Sequence, residues 1–276
     1  MSPIGLPNIG TTCWLNSVLQ LIINSNILCN VILENKDKGP IHTSLSNVIH
    51  TVKTASEQHE LSESVNETNF QTKLEQIVAS YRELHSLICS LHPIFTENSC
   101  NDCHEVITYL INALHEESKY DHFENEPEQI LYSHNAKSLS NILLTTSVCI
   151  RRIASDNDVI NESFTTFFVE HKNENDLQTT LNLTRFIYTP RVLFLSIIIQ
   201  PNTSFNLNNM IRINEKIYTL YGMIYFIPHM RHYISIIRKD EQEWYLLNDA
   251  SCNVITNEDM ARLFNYYPTI IAYCQR

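Results

Sequence analysis

The hydrophobic periodicity of this chain changes once, and that change constrains the fold more than any other feature. Up to about residue 130 the apolar positions recur at helical spacing. From about Leu139 they fall in short runs rich in β-branched and aromatic residues. Helices first and antiparallel strands second is an α+β layout. Leu15, Val18, Leu19 and Ile22 predict a helix that starts near Cys13, with Thr11 or Thr12 as N-cap, and buries one face. Further helices are expected over 74–90 and 102–117, the second with Val106, Tyr109, Leu110, Ala113 and Leu114 inward. Residues 34–70 are polar and read as loops or loosely packed helix. Strands are expected over 163–171, 191–200, 216–226, 233–238 and 244–247, with 239–243 as a hairpin turn. A short helix over 257–264 and a last strand over 269–274 complete the reading. With no internal repeat, the 276 residues are expected to form one domain.

Composition narrows the function classes. Hydrophobic residues make up 43% and charged residues 18%, enough apolar material for a sizeable core. A net charge of −11 argues against nucleic acid or anionic membrane as the main partner and suits a partner segment carrying arginines. No apolar run approaches the roughly 20 residues of a membrane span; the longest, 192–199, has the length of a strand. Eight cysteines are too sparse for a disulfide scaffold, and no signal peptide is visible. The expectation is a monomer with reduced thiols in the cytoplasm or nucleus, that of a host cell included.

The chain has only four glycines, and two of them, Gly5 and Gly10, flank the short segment before Cys13. A sequence that otherwise avoids glycine needs special backbone geometry there. A cysteine nucleophile works as thiolate, and a helix N-terminus with a nearby imidazole lowers a thiol pKa. At a helix start, Cys13 is expected to gain that effect. The free N–H groups there, together with the Asn8 amide, could bind the oxyanion of a tetrahedral intermediate. By position alone a buried small hydrophobe, the common fate of a free cysteine, has the edge.

The full segment reverses those odds. Gly5-Leu6-Pro7-Asn8-Ile9-Gly10-Thr11-Thr12-Cys13-Trp14-Leu15-Asn16-Ser17-Val18-Leu19-Gln20 resembles the cysteine box of the ubiquitin-specific proteases, GLxNxGNTCYxNSxLQ. Ten fixed positions match outright, and Trp14 replaces tyrosine with another aromatic. Asn101-Asp102-Cys103-His104-Glu105-Val106 resembles QDAxEF. His232-Tyr233 followed by Trp244-Tyr245-Leu246-Leu247-Asn248-Asp249 resembles GHY…WxxFND. Weaker likenesses lie at 190–195 and 217–222. The resemblance implies a papain-like hand, with a helical thumb over 1–130 and a β-rich palm with stunted fingers over 131–276. It also implies hydrolysis after the C-terminal glycine of ubiquitin, with SUMO or another ubiquitin-like modifier as the alternative. Cys13 would be the nucleophile, His232 the base, Asn248 its orienting group and Asn8 the oxyanion donor. Asp249 would support His232 or share the role of Asn248, and His229 is the competing histidine. Asp102 would face the basic tail of the modifier or simply cap its helix. Glu105, Arg231 and Tyr233 would border the same channel. A catalytically dead binding module is the alternative from another class.

Two departures stand out. Most members carry two Cys-x-x-Cys pairs for a structural zinc; here Cys149 has Arg152 in place of its partner, and the second pair is missing between Leu181 and Pro190. Cys100 and Cys103 have zinc-like spacing but no second pair, so neither metal nor cofactor is expected. Arg231 replaces the glycine before the histidine, which bears on the shape of the tail channel.

Overall fold

The computed structural model describes residues 2–61, 67–96, 99–119, 143–150, 161–163, 166–168, 191–199, 208–213, 215–263 and 268–276. Five helices come first: α1 (Cys13–Ile23), α2 (Asn26–Glu34), α3 (Pro40–Leu61), α4 (Glu67–Leu91) and α5 (Cys103–Lys119). Strands follow as β1 (Leu143–Ile150), β2 (Asn161–Ser163), β3 (Thr166–Phe168), β4 (Val192–Ile199), β5 (Met210–Ile213) and β6 (Lys216–Ile227). After them come β7 (His232–Arg238), β8 (Glu243–Asn248), β9 (Ser251–Thr256), a short helix α6 (Asn257–Leu263) and β10 (Pro268–Gln275). The α+β order read from periodicity holds. The main sheet runs β1-β4-β10-β6-β7-β8-β9, with β5 paired to β6. All its pairings are antiparallel except β1 with β4, which are parallel, Leu143 opposite Val192.

Both faces of the central strands are buried, and the two-residue period of a strand decides which side chain goes where. Tyr233 and Ile237 of β7, Val192 and Phe194 of β4, and Ile270 and Ala272 of β10 pack toward the helices. Their neighbours Ile234, Ile236, Leu193, Leu195, Ile271 and Tyr273 form a second core on the opposite face. Helix α1 lies against β6 and β7. It approaches so closely that a Cβ on Gly222 would sit 2.5 Å from Leu21 Cδ2. That depth changes the expected one-sided helix: every residue from Cys13 to Ile23 is buried. Among its buried polar side chains, Gln20 Nε2 donates to Ile4 O at 2.7 Å.

The helical half differs from expectation where the sequence is polar. Residues 40–61 form one helix, α3, with Ile41, Leu45, Val48, Ile49 and Val52 in the core. On α5 the inward set is Cys103, Val106, Ile107, Leu110 and Leu114, while Tyr109 and Ala113 are only half-buried. Glu117, near the end of α5, explains why α3 starts where it does. Its carboxylate accepts from Ile41 N at 2.8 Å, His42 N at 2.9 Å and His42 Nδ1 at 2.8 Å, and so takes the free N–H groups of the first turn of α3. Partial burial pushes the Glu117 pKa up, but the hydrogen bonds from His42 and from the two backbone N–H groups outweigh it and hold the acid below its ordinary value. A depressed carboxylate contributes stability above its unfolded pKa of about 4.3 and loses it as pH falls through the lower folded value. Glu117→Gln should therefore cost about 1–3 kcal/mol at neutral pH. In urea titrations its deficit relative to wild type should shrink as the solution is acidified; a deficit independent of pH would count against the charged clamp.

Candidate active site

Helix α1 begins at Cys13, and Thr12 occupies the N-cap position without a side-chain cap bond. The Thr12 hydroxyl is used elsewhere: it accepts from Ile9 N at 3.2 Å and donates to Asn8 Oδ1 at 3.3 Å. Asn8 Oδ1 also accepts from Gly10 N at 3.1 Å and Thr12 N at 3.3 Å. The loop before the nucleophile thus folds around one amide oxygen. Gly10 makes this possible with φ 145°, in the region L side chains avoid. Gly5 serves differently: a Cβ there would lie 2.2 Å from the carbonyl carbon of Ala250. Only a bare backbone lets the 5–8 segment lie on the β8–β9 turn, where Leu6 N donates to Asp249 O at 2.8 Å.

The palm supplies the other half. His232 opens β7, and its Nε2 lies 2.7 Å from Asn248 Oδ1 at the end of β8. An amide oxygen only accepts, so Nε2 carries a proton, and in the neutral ring that leaves Nδ1 as the acceptor. Asp249 Oδ2 lies 3.8 Å from the same Nε2. The Asp249 carboxylate also ties thumb to palm: Oδ2 accepts from Asn8 Nδ2 at 2.8 Å and Oδ1 from Asn16 Nδ2 at 2.7 Å. Asp249 adopts φ 47°, a left-handed turn conformation that aspartate tolerates better than most residues. Asn16, part of the cysteine box, had no role in the sequence reading. An amide three residues after Cys13, on a helix buried all round, was the available signal.

Cys13 itself is 4% exposed. Contrary to the sequence expectation, its thiol pKa is raised. Burial is the largest cause, outweighing the nearby backbone N–H groups of Tyr233 and Trp14, which favour thiolate; Cys100 and Asp249 push it up further. The Tyr233 side chain is 7% exposed and packs on Phe226 with ring centroids 4.7 Å apart. His229 lies exposed in the 3₁₀ turn Pro228–Met230, away from the Asn248 contact.

Asp102 and Glu105 are both exposed at the start of α5. Asp102 caps the helix, accepting from His104 N at 2.7 Å through one oxygen. Cys100 and Cys103 do not converge: Cys103 is buried 3.7 Å from Thr269 Oγ1, and Cys100 Sγ donates to Arg231 O at 3.4 Å. Among the described residues no group of three or more His, Cys, Asp or Glu could hold a metal ion. Arg152 and the segment from Leu181 to Pro190 lie outside the described residues. Arg231 is exposed with φ 49°, which explains why glycine suits this position. Arg231→Gly should raise stability by up to about 1 kcal/mol by removing left-handed strain. An unchanged or lower urea midpoint would show that the arginine makes compensating contacts.

This chain is similar to known proteins over nearly its whole length. The family described as ubiquitin carboxyl-terminal hydrolase matches residues 4–273. Human ubiquitin carboxyl-terminal hydrolase 35 is 28% identical over 118 residues, which are 42% of this chain and 10% of that protein. Among solved structures, the SAGA DUB module of Ubp8 with Sgf11, Sus1 and Sgf73 bound to monoubiquitin matches with a TM-score of 0.63 at 16% identity, covering 99% of this chain and 69% of that one. The same module bound to ubiquitin aldehyde matches with a TM-score of 0.63 at 15% identity, with the same coverage. The fold is therefore the papain-like hand expected from the sequence, and with a family match over nearly its full length this chain belongs to the ubiquitin carboxyl-terminal hydrolase family.

Proposed function

We propose that the chain is a cysteine deubiquitinase that hydrolyses the amide or isopeptide bond after the C-terminal glycine of ubiquitin. The observation that carries this is the meeting of three segments distant in sequence. Asp249 Oδ2, 3.8 Å from His232 Nε2, accepts from Asn8 of the cysteine box at 2.8 Å, while His232 is bonded to Asn248 at 2.7 Å. His232 Nδ1 takes the thiol proton as the sulfur attacks the carbonyl carbon, and returns it to the leaving amine. Asn248 holds the ring in the tautomer that leaves Nδ1 basic. The developing oxyanion is met by the second N–H of the Asn8 amide and by N–H groups at the start of α1. Water activated by His232 then hydrolyses the thioester. The raised thiol pKa fits proton transfer concerted with attack better than a standing thiolate. Asp102 and Glu105 offer carboxylates to the basic tail of the modifier, and Arg231 borders its route. Ubiquitin in the solved relatives supports the choice of modifier.

Release of a fluorophore amide from the ubiquitin C-terminus tests this reading. Turnover of ubiquitin supports it. Turnover only of SUMO or another modifier keeps the chemistry and replaces the substrate. Binding of ubiquitin without turnover leaves a scaffold and removes the enzyme.

A further inference from the structure

The loop that leads into α5 brings a second thiol to the catalytic cleft. Ser99 O accepts from Thr11 Oγ1 at 3.0 Å, which pins this loop two residues from Cys13. Cys100 Sγ reaches across to the palm, where it donates to the carbonyl of Arg231, the residue before His232, at 3.4 Å. Cys100 is thus anchored next to both members of the cysteine–histidine pair. Its proximity to the buried Cys13 thiol also appears in that thiol's raised pKa, where Cys100 acts more strongly than Asp249. Several other cysteines are occupied elsewhere. Cys29 Sγ donates to Ile22 O and Ile23 O, Cys274 lies 3.8 Å from Ser25 Oγ, and Cys103 faces Thr269. Cys100 is only half-buried, and residues 100–102 lie outside regular secondary structure.

From this cluster we infer that Cys100 is a modification site, the resolving thiol that captures oxidised Cys13 in a disulfide and turns the cleft off reversibly. The oxidant is a peroxide. The Cys13 sulfur, losing its proton to His232, attacks one peroxide oxygen; an S–O bond forms, the O–O bond breaks, and the expelled hydroxide leaves as water with the His232 proton. Cys100 sulfur then attacks the sulfenic sulfur. An S–S bond forms, and the hydroxyl departs with the Cys100 proton as a second water. Two thiols and one peroxide become one disulfide and two waters. Geometry requires the two Cα atoms to come within about 4.4–6.8 Å. Cys100 must give up its bond to Arg231 O for its sulfur to turn onto Cys13. In a reducing compartment the bond is transient, and thiol exchange reopens the cleft. The disulfide protects Cys13 from the irreversible sulfinic and sulfonic states.

This inference rests on Cys13 being the reactive thiol of the proposed function, and a readout by mass separates the two. The reduced full chain is treated with hydrogen peroxide at mildly alkaline pH, which favours ionisation of the raised Cys13 thiol; its remaining thiols are blocked with N-ethylmaleimide, and intact mass and peptide maps are recorded with and without dithiothreitol. Expected in wild type is a loss of two hydrogens, two fewer blocked thiols, and a linked peptide pair containing Cys13 and Cys100. Dithiothreitol should restore both thiols and the starting activity. Cys100→Ser, which keeps a hydroxyl for Arg231 O, should instead gain two or three oxygens at Cys13 that dithiothreitol does not remove. A cross-link to any other cysteine would overturn the inference. So would equal, irreversible oxidation of Cys13 in both proteins. Formation of the Cys13–Cys100 link in a chain that fails to hydrolyse ubiquitin would sink the deubiquitinase reading and leave this one standing.

Discussion

Incubated with ubiquitin that carries an electrophile at its C-terminus, the chain should gain the mass of one modifier at Cys13, and Cys13→Ala should gain none. Hydrolysis by Cys13→Ala should fall by on the order of 10⁴-fold or more. The burial of Cys13 adds a sharper expectation. Because its thiol is held up, chiefly by burial, the free protein should be alkylated slowly by iodoacetamide at neutral pH and faster as pH rises. The ubiquitin electrophile should react quickly at the same neutral pH, because its tail brings the reacting carbon to the sulfur with His232 ready to accept the proton. A tight ubiquitin complex without an adduct would mark a scaffold. Equal slow reaction with both reagents would mark Cys13 as an inert core thiol.

The second large effect is expected at Asp249. Asn248→Ala removes one partner, the acceptor for His232 Nε2 at 2.7 Å, and turnover should fall on the order of 10²-fold while folding persists. Asp249→Ala removes more. It releases Asn8 Nδ2 and Asn16 Nδ2 together, and with them the orientation of the amide assigned to the oxyanion. Loss of an oxyanion donor alone costs about 10²–10³-fold in kcat. Asp249→Ala should therefore be at least as damaging as Asn248→Ala. Its loss should lie in kcat rather than KM, and Asp249→Asn should rescue it in part, since an amide oxygen can still accept from Asn8. Steady-state kinetics and a urea midpoint for each variant decide the point. A milder Asp249→Ala, or one whose whole deficit follows lost stability, would return Asp249 to a structural role.

Much of this protein is local and was therefore legible from residue order. The cysteine box can be read because its parts contact one another: the three bonds to Asn8 Oδ1 come from residues two and four positions away. Asn248 follows His232 by sixteen positions across a tight hairpin, so its pairing follows from strand length and turn position. Tertiary structure decided what depends on distant segments and on exclusion of water. Asp249 joins Asn8 and Asn16 across 241 and 233 residues, and Glu117 caps α3 from 76 residues away; composition signals neither pairing. Residues 40–61 looked too polar for a packed helix because the surfaces that cover them come from elsewhere in the chain. The direction of the Cys13 pKa was misread for the same reason. A helix start is a local feature and favours thiolate, but desolvation depends on everything packed around the sulfur, and here it is the larger effect.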